Sequence, residues 1–251
     1  DGDLFAYGEA LAGALPEVNR MLGNAGKSKV YKNLIGITLG TGFGGGVVRD
    51  GELFLGDNGS AAEVWVLRDK REPVYSVEEG ISIRAIKREY ARLSGDPRKL
   101  TPKDIFDIAE GTLEGDQASA RTTFEHAGEV LGEAIASINA VVDGIVVLGG
   151  GIVAAHKYLM PSVIRELNGT VAMYEGAPAD RIEMKAFFLD DPAGLTAFLA
   201  PTSRQILVPG TTETIEYDPV KRMGVITTKL GTSKAIAFGA YAFALNELDK
   251  Y

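Results

Sequence analysis

The chain of 251 residues contains no cysteine. That absence excludes disulfide frameworks, cysteine-ligated metals and thiol nucleophiles together, and it points to a reducing, cytoplasmic compartment. Histidine is nearly as scarce. His126 and His156 each stand alone on a segment of helical spacing, where packing or surface roles account for them. No run of five Lys or Arg residues occurs and the net charge is −8, so no nucleic-acid surface is expected from this part. Long hydrophobic runs are missing too. The most apolar stretch, residues 135–155, is interrupted by Asn139, Asp143 and a glycine triplet, so no membrane span or membrane partner is expected. The sequence starts at Asp1 without a methionine, and helical spacing begins at once. Further residues are therefore expected ahead of it.

What the chain has in quantity is glycine, and it is concentrated. "GITLGTGFGGGVVRDGELFLG", residues 36–56, places glycines among Ile, Leu, Val and Phe in what reads as sheet. Glycine packs nothing in a strand and loses more backbone entropy than other residues, so something must approach this backbone closely. A nucleotide phosphate, another stretch of backbone, or a tight turn would each do so. Gly40, Gly42 and Gly45 satisfy G-x-G-x-x-G, but the dinucleotide fingerprint needs a helix directly afterwards, and here a strand and a hairpin turn follow. The same residues match the protein-kinase glycine loop, yet the chain has no H-R-D, D-F-G or V-A-I-K segment. Exposed backbone N–H groups that can cradle phosphate oxygens survive both exclusions. A second cluster, "VVLGGGI" at 146–152, runs from strand through glycines into a helix and would floor an adenosine and its phosphates.

Along the chain, residues 3–22 carry Leu4, Tyr7, Gly8, Leu11 and Leu15 at helical spacing, with Asp1 or Asp3 as N-cap and Pro16 ending or kinking the helix. Residues 34–40 and 45–55 read as strands with a hairpin turn at Asp50-Gly51. Residues 79–93, 102–110 (capped by Thr101), 117–141 and 232–248 read as helices, and 144–167 as strand, glycine turn and helix. A strand follows at 182–188. Residues 204–230 read as a hairpin whose strands are "RQILVP" and "RMGVITTKL". The expected fold is α/β, a mixed sheet with helices on both faces plus this extra hairpin, in one lobe spanning 1–251.

Four segments occur in the order expected of one family: "GITLGTGFGGGVVRDGELFLGDNGSAAEV", "GDQASA", "LGEAIASINAVVDGIVVLGGGIV" and "AIAFGAYAFAL". They resemble the ROK family of sugar kinases and sugar-responsive repressors, within the hexokinase–actin superfamily. The resemblance covers most of the chain outside roughly residues 189–230, which it marks as an insertion. It implies an actin-like, ribonuclease H-like lobe, the larger carboxy-terminal one. The smaller lobe, with its D-x-G-G-T motif, would precede Asp1, and the chain by itself would be inactive. "DGDLFAYGEA" resembles the N-D-x-N-x-x-A-x-x-E segment, which makes Asp1 the catalytic base, although an N-cap role alone is also open. Glu63, with Gly59 at the head of G-x-x-x-E, matches a sugar-hydroxyl acceptor. Gly40, Thr41, Gly42 and Gly44 match the phosphate turn, and Gly149, Gly150 and Gly151 the adenosine-side turn. ATP with Mg2+ and a small sugar are the implied ligands, and a homodimer or higher homo-oligomer the implied assembly.

The chain departs from the family at two places. Val66 stands where a histidine that touches sugar and zinc is expected. "RDKREPVYSVEEG" replaces the cysteine-rich zinc segment and puts Tyr75 near the position of a sugar-binding glutamate. No zinc is therefore expected, and Trp65, Val74, Tyr75 and Val77 are expected to pack the loop 67–79 down as an apolar plug. The expected function is an ATP-dependent hexose or N-acetylhexosamine kinase, because a repressor has little need of a base where Asp1 sits. A non-catalytic sugar sensor or repressor effector domain is the alternative, and an assembly module with degenerate sites a third.

Overall fold

The computed structural model describes residues 1–249. Two helices come first, α1 (Gly2–Ala12) and α2 (Ala14–Asn24). The break falls at Gly13 (φ −118°, ψ −116°), not at Pro16. Pro16 lies in the first turn of α2, where its missing N–H would have had no partner in any case. Then come β1 (Leu34–Leu39), β2 (Phe43–Arg49) and β3 (Glu52–Leu53), an antiparallel meander. Asp50 (φ 50°) and Gly51 (φ 87°) form the turn between β2 and β3, as Asp-Gly does in hairpins.

The expected helix at 79–93 is two helices, α3 (Glu78–Ile81) and α4 (Ile83–Ser94), separated by extended Ser82. The next is α5 (Pro102–Glu110), held by a capping box between Thr101 and Asp104. The long α6 (Gln117–Val142) leads into β4 (Ile145–Gly149), a 3-10 turn at Gly151–Ala155, and α7 (His156–Leu167). Short β5 (Thr170–Val171) and β6 (Ala179–Asp180) pair with each other. β7 (Lys185–Phe188), α8 (Pro192–Leu199), β8 (Arg204–Leu207), β9 (Thr214–Tyr217), β10 (Arg222–Thr227) and α9 (Thr232–Leu248) complete the described chain.

The main sheet has the order β3-β2-β1-β4-β10-β7, with β1, β4, β10 and β7 parallel. Each face carries its own core. Ile35, Ile37, Val146 and Leu148 meet Phe124, Leu131 and Val163 on the side of α6 and α7. Phe5, Ala6, Ile145, Val147, Ile226 and Ala235 form the other core, on the side of α1 and α9. Helices therefore cover both faces, as expected. No helix among the described residues is long and apolar enough to cross a membrane.

One strand expectation is overturned. "RMGVIT" is β10, a central strand with Met223, Val225 and Ile226 fully buried, and not half of a hairpin. β8 pairs instead with "TIEY" in β9, in a separate two-stranded sheet. A strand buried on both faces reads as a continuous apolar run, which the sequence shares with many hairpins. β9 is exposed along its length.

Candidate functional site

The glycines answer to two different demands. A Cβ on Gly36 would stand 2.6 Å from the Ala6 Cβ, one on Gly46 2.7 Å from the Asp3 Cα, and one on Gly149 2.6 Å from the Phe5 ring. Gly2 likewise touches the Gly45 carbonyl, and on the far side of α1 Gly8 and Gly239 let α9 approach backbone to backbone. These glycines seat α1 between the sheet and α9. Gly44 stands opposite Thr38, and the Thr38 hydroxyl takes up the room it leaves. Gly40 and Gly151 have nothing within 4 Å of a built Cβ and so are open.

Those open glycines sit together. β1 and β4 are in parallel register with Thr38 beside Gly149, so the turns at 40–42 and 149–151 leave the same sheet edge. β10 brings a third turn there, the Thr228 N–H donating to the Leu148 carbonyl at 2.8 Å. Gly150 (φ 94°) crowds the Leu39 carbonyl, which only glycine can do, and its N–H donates to the Thr232 hydroxyl at 2.8 Å. The N–H groups of Thr41, Gly42 and Gly151 have no partner among the described residues. α9 starts at this edge, and its N-cap residue Gly231 brings no side chain to cap the helix amides. Free amides and helix starts at the carboxyl ends of parallel strands favour anionic ligands.

The sugar-side residues lie at the start of α1. Asp1 is exposed, flanks the helix without a side-chain cap bond, and precedes the Gly2–Gly45 contact. Val64 packs on Gly45, which brings the loop carrying Glu63 beside the same strand. Ala62 adopts φ 60°, a left-handed conformation uncommon outside glycine, directly before Glu63. Glu63 is exposed and its Oε2 accepts from Trp65 Nε1 at 2.6 Å, while Gly59 (φ 62°) lies in open space. Asp3, at the second Asn of N-D-x-N, was expected only as a possible N-cap, but it lies inside α1 and the N-cap is Asp1. Burial pushes the Asp3 carboxyl above the usual range, reinforced by Glu63, and its Oδ1 is buried without a partner.

Glu9 was missed as well, although it matches the last position of the same segment. It is fully buried and accepts from Ala14 N at 2.7 Å, Leu230 N at 3.2 Å, Lys229 N at 3.3 Å and the Thr228 hydroxyl. One carboxylate thus ties α1 to the turn between β10 and α9.

The loop 67–79 corrects an expectation. Val77 is buried, but Val74 is 84% exposed, and Trp65 and Tyr75 are exposed too, so there is no apolar plug. Buried Asp69 organises the loop instead. Its Oδ1 accepts from the N–H groups of Arg71 (2.7 Å) and Glu72 (3.2 Å), a bridge joins Arg68 to Ser76, and ion pairs link Lys70 to Glu166 and Arg71 to Glu129. Polar residues hold a loop through backbone bonds as well as an apolar cluster would. Among the described residues no three His, Cys, Asp or Glu side chains converge to hold a metal, so the residues present do not fit the family's zinc. His126 Nδ1 lies 2.6 Å from Glu89 Oε1, and the His156 ring packs on Phe188, which keeps both histidines in packing and surface roles.

Comparison with known proteins agrees with this architecture. The model of the ROK family matches residues 17–199. A glucokinase of Halalkalibacterium halodurans is 32% identical over 153 residues, 53% of this chain and 45% of that protein. The chain spans about half the length of the curated relatives it matches. A crystal structure of a glucokinase from Parabacteroides distasonis is 48% identical with a TM-score of 0.89, covering 98% of this chain and 67% of that one. A ROK family glucokinase from Streptomyces griseus, solved in complex with glucose and AMPPNP, shares the fold at 17% identity and a TM-score of 0.55, covering 96% of this chain and 65% of that one.

Proposed function

Because the chain belongs to the ROK family, we propose that it is the larger lobe of a two-lobed kinase that moves the γ-phosphoryl group of ATP onto a hydroxyl of a hexose or N-acetylhexosamine. One observation carries this. Two parallel strands, β1 and β4, deliver turns with free amides to a single edge where α9 also starts, and the helix that begins at Asp1 lies directly across the neighbouring strand β2.

In this reading the Thr41 and Gly42 amides hold oxygens of the phosphoryl group in transit, and the Gly151 amide and the start of α9 face the remaining phosphates. Mg2+ arrives with ATP, held mainly by phosphates and water. Asp1 orients the acceptor hydroxyl and takes its proton, and Glu63 accepts from a second sugar hydroxyl. Glu9 keeps the base-bearing helix and the nucleotide-side turn in one rigid unit. A cytoplasmic location and self-association belong to the same proposal.

The test is ADP release by the protein that carries this chain, across a panel of hexoses and N-acetylhexosamines. Release should depend on sugar, and Asp1→Asn should lower turnover by ~10²-fold or more with sugar affinity retained. No ADP above background with any sugar would end the catalytic proposal. Val66, exposed where the family has its histidine, favours a second reading as a sugar sensor. Saturable sugar binding without ADP release would support it.

A further inference from the structure

The turn at 40–42 is gripped from behind by one short segment. The Ile83 N–H donates to the Gly40 carbonyl at 2.9 Å, and Arg84 Nη1 makes a long bond of 3.4 Å to the Thr41 carbonyl. The Phe43 N–H donates to Glu78 Oε2 at 2.9 Å. Extended Ser82 separates α3 from α4, so Glu78 and Ile83 reach the turn from two sides. A Cβ on Gly42 would lie 2.6 Å from Glu78 Oε2, so the carboxylate packs directly on this glycine.

A carboxylate beside a phosphate turn would repel phosphate if it were bare. Here it is not. Arg84 Nη2 binds Glu78 Oε1 at 2.6 Å and Glu79 Oε1 at 2.5 Å, and Arg88 Nη1 binds Glu79 Oε2 at 2.8 Å. Burial pushes the Glu78 carboxyl up, but the Arg84 guanidinium and the Phe43 amide outweigh it and hold the group below the usual carboxylate range. The charge is therefore spent on Arg84 and one backbone amide. The bonds at Gly40, Thr41 and Phe43 consume two carbonyls and one N–H, and they leave the Thr41 and Gly42 N–H groups free.

We propose that Glu78 and Arg84 are positioning residues that lock the β1–β2 turn with its Thr41 and Gly42 amides presented to the phosphates of the nucleotide. The proposal rests on the kinase reading for what binds there. The lock itself is a property of this chain.

Hydrogen exchange on the chain tests the lock without any activity. Glu78→Ala should speed exchange of the bonded Gly40 and Phe43 amides by about tenfold or more, as loss of a charge-assisted bond does, while β4 exchanges as before. Glu78→Gln keeps an acceptor and should fall between the two. If Glu78→Ala does not fold, Arg84→Ala removes the grip on Thr41 and Glu78 and serves in its place. In the active protein, Glu78→Ala should raise KM for ATP about tenfold and leave KM for sugar unchanged, whereas general damage would move both. Unchanged exchange at Gly40 and Phe43, or equal rises in both KM values, would overturn the proposal. Wild-type protein that makes no ADP would sink the kinase reading instead, and the exchange result would still stand.

Discussion

Gly36 in β1 and Ala6 in α1 are in contact so close that a methyl on the glycine would stand 2.6 Å from the alanine Cβ and 2.7 Å from its Cα. Neither backbone can yield, because Gly8 pins α1 against α9 on its other side. Gly36→Ala should therefore destabilise the fold by roughly 1–3 kcal/mol through overpacking. Gly151→Ala, which meets nothing within 4 Å, should stay within about 0.5 kcal/mol of wild type. Urea unfolding of the two variants side by side checks this, and equal losses would refute the division of the glycines into packing and open ones.

Glu9 is the sole side-chain acceptor for three backbone N–H groups from two distant segments. Glu9→Ala leaves the buried Ala14 N–H unpaired, at about 1–3 kcal/mol, and frees the part-buried Lys229 and Leu230 amides as well. The melting temperature should fall sharply and hydrogen exchange should rise at residues 228–231. Glu9→Gln, which keeps one acceptor oxygen, should lose less. A Glu9→Ala protein as stable as wild type would show that the bonds contribute nothing.

Glu89 sets an acid-side dependence. Its bond to Arg92, with a smaller contribution from His126 and against the effect of burial, holds the carboxyl down at about 2, from an ordinary 4.5. A group whose pKa is lower folded than unfolded stabilises above the unfolded value, and that stabilisation is lost as pH falls towards the folded one. The difference in melting temperature between wild type and Glu89→Gln should thus be constant above about pH 4.5 and shrink between there and about pH 2. A difference that does not change with pH would refute the assignment.

Purified protein should carry no stoichiometric zinc and keep its melting temperature in EDTA, because Asp69 and backbone bonds shape the loop 67–79. Asp69→Ala should lower the melting temperature and make that loop the first site of proteolysis. About one zinc per chain by elemental measurement would contradict this.

The β8–β9 hairpin and β10 should respond oppositely to excision. Arg204 pairs with Tyr217, so residues 203–217 can be replaced by a short glycine linker between neighbouring ends, with cooperative unfolding retained. Extending the deletion through Thr227 removes a strand that hydrogen-bonds to both β4 and β7 and should abolish folding. Cooperative unfolding of the longer deletion would show β10 to be dispensable.

Short-range chemistry was legible in the residues themselves. Thr101 before Pro102 announced the cap of α5, Asp50-Gly51 its hairpin, and the apolar spacing of 117–141 the long helix. Each of these depends on neighbours within a turn or two, so the sequence by itself determined them. What a residue touches across the fold was decided only by tertiary structure. Gly36 and Gly40 are the same residue four positions apart, yet one seats a helix and the other lies open, because only Gly36 meets α1. "RMGVIT" became a central strand because β4 and β7 flank it, and residues 67–79 closed around Asp69 because the Arg71 and Glu72 amides turn back onto a buried carboxylate. The grip of Glu78 on Phe43 and the four bonds of Glu9 join residues 35 and up to 221 positions apart. Periodicity and propensity act over single elements, whereas close approach and buried hydrogen bonds depend on which elements the folded chain brings together.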